Sequence, residues 1–564
     1  MSKAVTLVKE NLRTLLLDAV GRCIADGVFP ENPIPDFTIE SPADKTHGDF
    51  ASNIAMVSAK AFRLAPRKIA EEICARLDLA DSRIDKYEIA GPGFINFFAA
   101  PGLFAGIIRE IEKSGEDCVR CDYGKGERIL VEFISANPTG PMHMGNARGG
   151  ALGDCLAAVL DAAGYYVERE FYVNDAGNQI EKFALSLDIR YQQIFAGEEN
   201  VPLPEDSYHG EDIVDLAREF YEIHGDSYLG KPEAERRKAL VDYALPKNIK
   251  RMQEDTAKYR IRYDTWFFES VLHKNGDIKE IIDILTEKGL TYEKDGAVWY
   301  KATLFGGEKD EVLIRANGNP TYFAADIAYH RNKFAVRGFD RCINIWGADH
   351  HGHVARLKGA MDAIGLDGSK LDIVLMQLVK LLYNGEPVRM SKRTGKAIQL
   401  ADLLEEVPVD SARFFFNMRE ATSQMDFDLG LAIAQNSQNP VYYVQYAHAR
   451  ICSIIKALSA EGVKPSLITD KQLLLLNAPE EIELLRKLCE LSDEIILAAK
   501  NYDPARITHY VIDLATLFHK FYNACRVKGD DPELTNARLC LCISTATVIR
   551  SILKMFKIEA PVSM

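Results

Sequence analysis

The stretch SANPTGPMHMGNARGG, Ser135 to Gly150, carries the strongest fold and site signal in the chain. It follows an apolar run, 129–134, that is broken only by Glu132 and is typical of a buried parallel strand, and a helical apolar stripe comes after it. At such a strand–helix junction the backbone N–H groups and the helix dipole favour a phosphate. His143 can donate a charge-assisted hydrogen bond to that phosphate, and Gly145 allows a close backbone approach. The same residues also suit a plain glycine-rich turn with a surface histidine.

Strands and helices alternate outward from this stretch. Further strands are predicted at 166–173, 341–347 and 373–379. This alternation predicts a doubly wound, Rossmann-like sheet that binds ligands at the carboxyl ends of its strands. A polar, helix-prone insertion at about 195–260 interrupts it, and a hairpin is predicted at 291–304.

The two ends of the chain follow other patterns. Before the sheet, a helix at about 4–25, a strand at 37–40, a helix at 60–79 and an extended segment at 87–98 predict an α+β module, followed by a charged linker at 113–128. After about residue 405 strand signals almost vanish and four helical stripes predict a bundle. We therefore expect a multidomain α/β protein with an N-terminal α+β module at 1–112, a Rossmann-like parallel-sheet catalytic domain with insertions at 113–404 and a C-terminal all-α domain at 405–564.

Composition limits the class of protein. The 564 residues are 47% hydrophobic and 27% charged, which is typical of a soluble globular protein and excludes a disordered or fibrous one. No apolar stretch approaches the roughly 18 residues of a membrane span, and the charged N-terminus predicts no signal peptide. The net charge of −14 argues against coating nucleic acid through bulk positive charge. Eleven scattered cysteines fit reduced thiols in the cytoplasm, and Cys118 and Cys121 lack the second pair of a zinc site, so no structural metal is expected.

A second signal, RMSKRTG at 389–395, lies about 240 residues after the first. Arg389 and Arg393 bracket Lys392 on a loop that follows the last predicted strand. Such a loop is suited to clamp a triphosphate from the opposite side. Alone, it is more often a solvated basic loop.

Together the two signals resemble the double signature of class I aminoacyl-tRNA synthetases. Further segments across nearly the whole chain resemble arginyl-tRNA synthetases of the bacterial type. These segments are THGDFASNIA (46–55), GPGFINFF (91–98), FYVNDAGNQI (171–180), TWFFES (265–270), TYFAADIAYH (321–330), WGADHHGH (346–353), DSARF (410–414) and NPVYYVQYAHAR (439–450).

The resemblance implies ATP-dependent ligation of L-arginine to tRNA(Arg) through an arginyl-adenylate, with release of AMP and pyrophosphate. It implies a catalytic group of His143, Asn146 and Lys392; ATP contacts at Gly145, Gly347, Asp349, His350, Met390 and Ser391; arginine contacts at Ser135, Asn137, Glu269, Tyr322 and Asp326; and tRNA contacts at Tyr442, Tyr446, Arg450, Phe50 and Asn96. Two positions depart from the family pattern, since Asn146 replaces a histidine and Arg389 replaces a lysine. We expect Mg²⁺ to accompany ATP, and a cytoplasmic monomer that contacts no membrane.

The implied pocket makes physical sense for arginine. A guanidinium is planar, is always charged and presents five hydrogen-bond donors. It is therefore bound best by carboxylates that accept two parallel N–H bonds, beside an aromatic ring. Tyr322 and Asp326 are four residues apart in a helical segment and therefore share a face. Without the resemblance, Asp326 would be interpreted as a solvated helix acid.

Two alternatives stay open at this point. One is another class I enzyme, such as a cysteinyl- or glutamyl-tRNA synthetase or a small-acid adenylating ligase; the chain lacks a thiol-selective zinc site, and its helical C-terminal domain does not suit a small ligase. The other is a non-catalytic tRNA-binding paralogue, against which the intact His143 and Lys392 argue.

Overall fold

The N-terminal part is a small sheet covered by helices. The structure, a computed structural model, describes residues 3–42, 44–80, 82–388 and 398–564. This part contains α1 (Lys3–Ala25), β1 (Ile39–Glu40), β2 (Phe50–Ser52), α2 (Ile54–Phe62), α3 (Pro66–Cys74), β3 (Ile84–Ala90), β4 (Phe94–Ala99) and α4 (Ile107–Ser114). The strands pair antiparallel in the order β1-β2-β4-β3.

Two predictions for this part need correction. The strand expected at 37–40 is only two residues long. The helix expected at 60–79 is two helices, because Arg63 ends the first in a left-handed conformation and Pro66 begins the second. Proline suits the first turn of a helix, where its missing N–H costs nothing. The predicted linker at 113–128 is also partly structured, and Glu116 within it pairs with Lys554 (2.6 Å).

A parallel sheet of five strands forms the centre of the molecule. Its elements up to the last strand are β5 (Arg128–Glu132), α5 (Met144–Ala162), β6 (Tyr166–Val173), α6 (Asn178–Ala196), α7 (Glu211–His224), α8 (Glu233–Lys258), β7 (Thr265–Phe268), α9 (Glu269–Asn275), α10 (Asp277–Glu287), β8 (Thr291–Lys294), β9 (Ala297–Tyr300), β10 (Glu311–Ile314), α11 (Tyr322–Arg331), β11 (Arg341–Gly347), α12 (His351–Ile364) and β12 (Leu371–Met376). The strand order is β12-β11-β5-β6-β7. The order reverses between β5 and β11, so the crevice for a ligand lies at their carboxyl ends.

The predicted hairpin is confirmed, and the region predicted as a helix-prone insertion is helical, although its helices begin at α6, before residue 195. Helices α6, α7 and α8 pack around their own core, which includes Phe183, Tyr191 and Phe220. Strands β8 and β9 form the hairpin, and β10 adds a third antiparallel strand. Asp295 and Gly296, both with positive φ, make its two-residue turn.

The rest of the chain is mostly helical, as predicted. It contains β13 (Val379–Tyr383), β14 (Glu386–Pro387), α13 (Leu400–Glu406), α14 (Val409–Phe416), β15 (Met425–Asp428), α15 (Leu429–Ile433), α16 (Pro440–Ala460), α17 (Asp470–Leu473), α18 (Pro479–Asn501), α19 (Ala505–Ala524) and α20 (Pro532–Met555). Strands continue past residue 404, where the pattern predicts helices alone, because β15 pairs in parallel with β13. The multidomain α/β architecture with a helical C-terminal part is confirmed.

Candidate active site

The turn after β5 holds its backbone in an uncommon conformation. Ile134 and Ser135 have φ angles of +70° and +41°, which side chains with a Cβ rarely adopt. The Ser135 hydroxyl donates to Glu132 Oε1 (2.8 Å), and the buried Lys333 ammonium donates to Glu132 Oε2 (2.5 Å). Such strain persists only where the surroundings determine the backbone, and it concentrates at functional sites. The buried ion pair therefore fixes the start of the loop that leads to His143.

His143 is the N-cap of α5. Its Nδ1 accepts a hydrogen bond from the Gly145 N–H (3.0 Å), so the ring carries its proton on Nε2. Desolvation lowers the pKa of His143 below its ordinary value. The expected charged donor is therefore corrected to a neutral Nε2–H at the N-terminus of a helix. Asn146 completes the cap, since its Oδ1 accepts from the His143 N–H (2.9 Å).

Two neighbouring segments hold this junction. The buried Asn248 on α8 donates its amide to the Pro138 carbonyl (3.0 Å). The N–H of Leu400 donates to the Met142 carbonyl (2.9 Å), and Gln399 forms an isolated β-bridge with His143. The chain on the downstream side of RMSKRTG is thus fastened directly to the first motif. The predicted site residues Met390, Ser391 and Lys392, like Arg389, lie outside the described residues.

Glu269 sits at the carboxyl end of β7, on the first residue of α9. It is only 3% exposed, and burial raises its pKa to about 7, with nearby Asp326 and Asp175 adding to the rise and the Tyr172 hydroxyl opposing it. With its side-chain amide assigned in the orientation that satisfies its neighbours, Asn174 donates to Glu269 Oε2 (2.7 Å), and its oxygen lies 3.1 Å from Oδ1 of Asn137. Asn137 and Glu269, predicted from distant parts of the sequence, are therefore brought into one pocket.

Asp326 on α11 is the second carboxylate of the pocket. Its Oδ2 accepts from Nε2 of His353 (2.8 Å), whose Nδ1 in turn accepts from Nε of Arg356 (2.7 Å). Tyr322 begins the same helix, and its hydroxyl receives backbone N–H groups at the start of α6. No role is predicted from the sequence for His353 or Arg356. The available signal was that His353 is the fourth polar residue of the segment WGADHHGH, which it ends.

The ATP residues predicted after β11 lie at the same edge of the sheet. Gly347 ends the strand. The side chains of Asp349 and His350 are exposed and 3.7 Å apart. No direct contact joins them to the Glu269 pocket among the described residues, which leaves them free for a separate part of a ligand.

The aromatic segment of α16 forms a partly exposed surface. The rings of Tyr442 and Tyr446 lie nearly parallel, with centroids 6.4 Å apart. The Arg450 guanidinium lies 4.7 Å from the Tyr446 ring and 5.2 Å from that of Tyr522 on α19. Stacked rings beside an arginine are typical of surfaces that bind unpaired bases. His448, another candidate in this segment, is buried and bonds the Pro561 carbonyl instead.

The two N-terminal tRNA candidates are wrong in this structure. Phe50 is 1% exposed and Asn96 is 4% exposed, so neither side chain is available to a large ligand. Phe50 faces the helices that cover the sheet and belongs to the hydrophobic core. Asn96 lies in the central strand β4, between β2 and β3. Phe94, two residues from Asn96 on the same strand, is 41% exposed.

The described residues contain no cluster of metal-ligating side chains and one long apolar helix. No group of three His, Cys, Asp or Glu side chains that could hold a metal ion occurs within the described ranges. Helix α20 has the length and composition of a membrane span, but 83% of its apolar window is buried inside the protein. Such burial is typical of a core helix in a soluble protein.

Comparison with known proteins agrees with this geometry. The family model "tRNA synthetases class I (R), catalytic domain" matches residues 114–445. "Arginyl tRNA synthetase N terminal domain" matches 8–99, and "DALR anticodon binding domain" matches 444–564. The chain therefore has the domains and the fold of a class I aminoacyl-tRNA synthetase.

Full-length relatives narrow the class. An arginine–tRNA ligase of Caldanaerobacter subterraneus is 55% identical over 561 residues, and one of Acetivibrio thermocellus is 53% identical over 564 residues; all of each chain is covered in both cases. The solved arginyl-tRNA synthetase of Thermus thermophilus shares the fold, with a TM-score of 0.73 and 21% identity over 99% of this chain and all of that one. This chain belongs to the arginyl-tRNA synthetase family.

Proposed function

We propose that the pocket at the carboxyl edge of the parallel sheet carries out the family's reaction, the ATP-dependent ligation of L-arginine to tRNA(Arg). In the first step the arginine carboxylate attacks the α-phosphorus of ATP, which gives arginyl-adenylate and pyrophosphate. In the second step the terminal ribose hydroxyl of the tRNA takes the arginyl group and AMP leaves. No protein nucleophile is needed, so the chain contributes positioning and electrostatic stabilisation.

One observation supports arginine above other substrates. Two carboxylates, Glu269 and Asp326, face one pocket, and no Lys or Arg within the described ranges forms an ion pair with either. Burial of Glu269 beside other acids raises its pKa to about 7. Buried negative charge of this kind is satisfied by a cation, and a guanidinium offers planar donors to both carboxylates together. Tyr322 lies on the same helix face as Asp326 and supplies the aromatic wall.

The other site residues take roles by position. We assign Ser135 and Asn137 to the main-chain groups of arginine, because both lie in the turn between the pocket and His143. The neutral Nε2–H of His143 and the first turn of α5 would hold ATP phosphates, with Asn146 fixing the cap. These residues lie beside the carboxylate that must attack the α-phosphorus.

The remaining ATP contacts are assigned to two further segments of the chain. Gly347, Asp349 and His350 are assigned to the adenosine. Lys392, with Met390 and Ser391, is assigned from the sequence alone to the departing pyrophosphate. We propose that ATP enters as its magnesium complex, with the ion held mainly by phosphate oxygens and water.

We further propose that tRNA(Arg) spans the helical domain and the N-terminal module. Tyr442, Tyr446 and Arg450 offer stacking to unpaired bases. In the N-terminal module, Phe94 and Phe98 lie on one face of β4, and Lys86 sits 4.4 Å from the Phe98 ring. These residues replace Phe50 and Asn96 as candidates. A cytoplasmic monomer remains our proposal for the assembly and its location.

A charging assay tests this proposal. The protein is supplied with ATP, magnesium, bulk tRNA and each standard amino acid in turn, and acid-stable aminoacyl-tRNA is counted. We expect arginine alone to be attached. Attachment of cysteine or glutamate would support the other class I enzymes, and binding of tRNA without any attachment would support a non-catalytic paralogue.

A further inference from the structure

His353 links Asp326 to a chain of partly buried polar side chains. On one side its Nε2 lies 2.8 Å from Oδ2 of Asp326. On the other side its Nδ1 accepts from Nε of Arg356 (2.7 Å), and the same guanidinium bonds Glu311 Oε1 (3.0 Å). The imidazole also lies against two rings, with centroids 5.4 Å from Trp346 and 5.8 Å from Phe323. His353 is therefore held in place by contacts at both nitrogens and by two aromatic neighbours.

These contacts determine the state of the ring. A nitrogen that accepts from the Arg356 N–H cannot carry a proton, so the proton of His353 sits on Nε2 and points at Asp326. The ring is thus neutral, and it orients Asp326 without cancelling its charge. A lysine or arginine in this place would orient the carboxylate equally well but would neutralise it.

We infer that His353 is a positioning residue that sets the selectivity of the pocket for a guanidinium. It holds Oδ2 of Asp326 and leaves Oδ1 for the substrate. Glu269 is restrained in the same way, since Asn174 donates to its Oε2. Both carboxylates therefore stand at fixed orientations, each held by a neutral donor. This inference rests on the proposed function, because it assumes that arginine occupies the pocket.

Carboxylates that are held in fixed orientations favour a planar guanidinium over an ammonium group, which acts as a point charge. A guanidinium presents N–H groups in a rigid plane, so it gains most when the acceptor oxygens already lie in matching positions. An ammonium rotates freely and binds a mobile carboxylate as well as a fixed one. Loss of the His353 bond should therefore weaken arginine much more than lysine.

The test compares His353→Leu, His353→Gln and wild-type protein. Leucine removes the donor, and glutamine keeps a neutral N–H near the position of Nε2. Arg331→Met is the matched control, because it removes an ion pair with Glu280 from the same helix as Asp326. The readouts are the KM for arginine and for ATP in tRNA charging, the inhibition constant of L-lysine against arginine, and the melting temperature.

We expect His353→Leu to raise the arginine KM about tenfold, the loss typical of one hydrogen bond to a charged group. The KM for ATP and the inhibition constant of lysine should stay within about twofold, and His353→Gln should recover most of the arginine affinity. Arg331→Met should match wild type.

Two results would overturn the inference. The first is an arginine KM unchanged in both His353 variants. The second is an equal weakening of arginine and lysine, which would show a collapsed pocket rather than a misoriented carboxylate. If His353→Leu does not fold, His353→Ala, which also lacks the donor, takes its place in both comparisons. Failure of the wild-type protein to charge arginine would instead refute the proposed function, and it would be seen before any variant is compared.

Discussion

Acidification should weaken arginine binding through Glu269. In the empty pocket, burial and the neighbouring acids Asp326 and Asp175 raise the pKa of Glu269 from 4.5 to about 7. A guanidinium binds the ionised carboxylate and favours that form, so the pKa falls when arginine enters. Below pH 7, arginine must first displace a proton. Its apparent affinity should therefore fall as the pH falls through about 7.

The magnitude follows from the size of the shift. With a pKa of about 7, roughly one molecule in eleven has Glu269 ionised at pH 6, so the arginine KM should rise about tenfold between pH 8 and pH 6. Holding this carboxylate ionised in the empty pocket costs about 3 kcal/mol, because one pKa unit corresponds to about 1.4 kcal/mol. In the free protein a raised carboxyl pKa stabilises the fold at low pH, and that contribution is lost as pH rises through about 7. Arginine should then raise the melting temperature more at pH 8 than at pH 6.

The assay is tRNA charging between pH 6 and pH 8, with the KM measured separately for arginine and for ATP. The ATP value serves as an internal control, because the ATP contacts lie away from Glu269. Glu269→Gln should bind arginine weakly and lose the pH dependence, whereas Glu280→Gln, which alters a surface ion pair, should behave as wild type. An arginine KM that is flat over this range, or a slope that persists in Glu269→Gln, would refute the reasoning.

Three further predictions address the rest of the site. Asp326→Asn should lower kcat/KM for arginine by a factor that corresponds to about 2–5 kcal/mol, because a desolvated guanidinium loses one charged partner. The KM for ATP should not change. A wild-type kcat/KM for arginine would show that the pocket is misassigned. Lys392→Ala should slow single-turnover adenylate formation by a factor that corresponds to about 2.7–4 kcal/mol, with little change in arginine affinity, because the family resemblance assigns its charge to the leaving pyrophosphate; the opposite pattern would contradict that role. Pyrophosphate exchange into ATP should require tRNA even at saturating arginine and ATP, because we expect tRNA binding to assemble the active site by induced fit. Robust exchange without tRNA would refute this expectation.

The sequence predicts the buried strands of the central sheet well. The ranges 166–173 and 341–347 coincide with β6 and β11. Both strands end in segments rich in apolar or aromatic strand formers, FYV in β6 and INIW before the last glycine of β11, which makes their ends visible in the sequence. Short strands are less visible: β7 and β15 have four residues each, and their partners lie far away in the chain. Pairing over such separations depends on tertiary packing, which local patterns do not report.

In the site, too, local sequence motifs are predictable and contacts between distant parts of the chain are not. Resemblance predicts Glu269, Asn137 and Asp326, and the structure gathers them at one edge of the sheet. Burial and contacts between separate elements raise the pKa of Glu269 and form the His353–Arg356 hydrogen bond. No sequence motif predicts either feature. Phe50 fails as a tRNA contact for a related reason. A three-residue strand does not reveal which of its faces is covered.

The helix that carries His143 is fastened to the helical domain, which gives the tRNA requirement a physical basis. Asp154, about three turns along α5 from His143, is fully buried and accepts from Arg413 (2.5 Å), Arg169 (3.1 Å) and Lys557 (2.8 Å). Burial opposes ionisation of Asp154, but these three cations outweigh it and lower its pKa. Arg413 belongs to α14, and Lys557 follows α20 at the far end of the chain. Removing one partner of a buried pair typically costs 3–5 kcal/mol, so the bundle and α5 should move as one unit. A tRNA bound to the bundle would therefore act directly on the helix whose first turn we assign to the ATP phosphates.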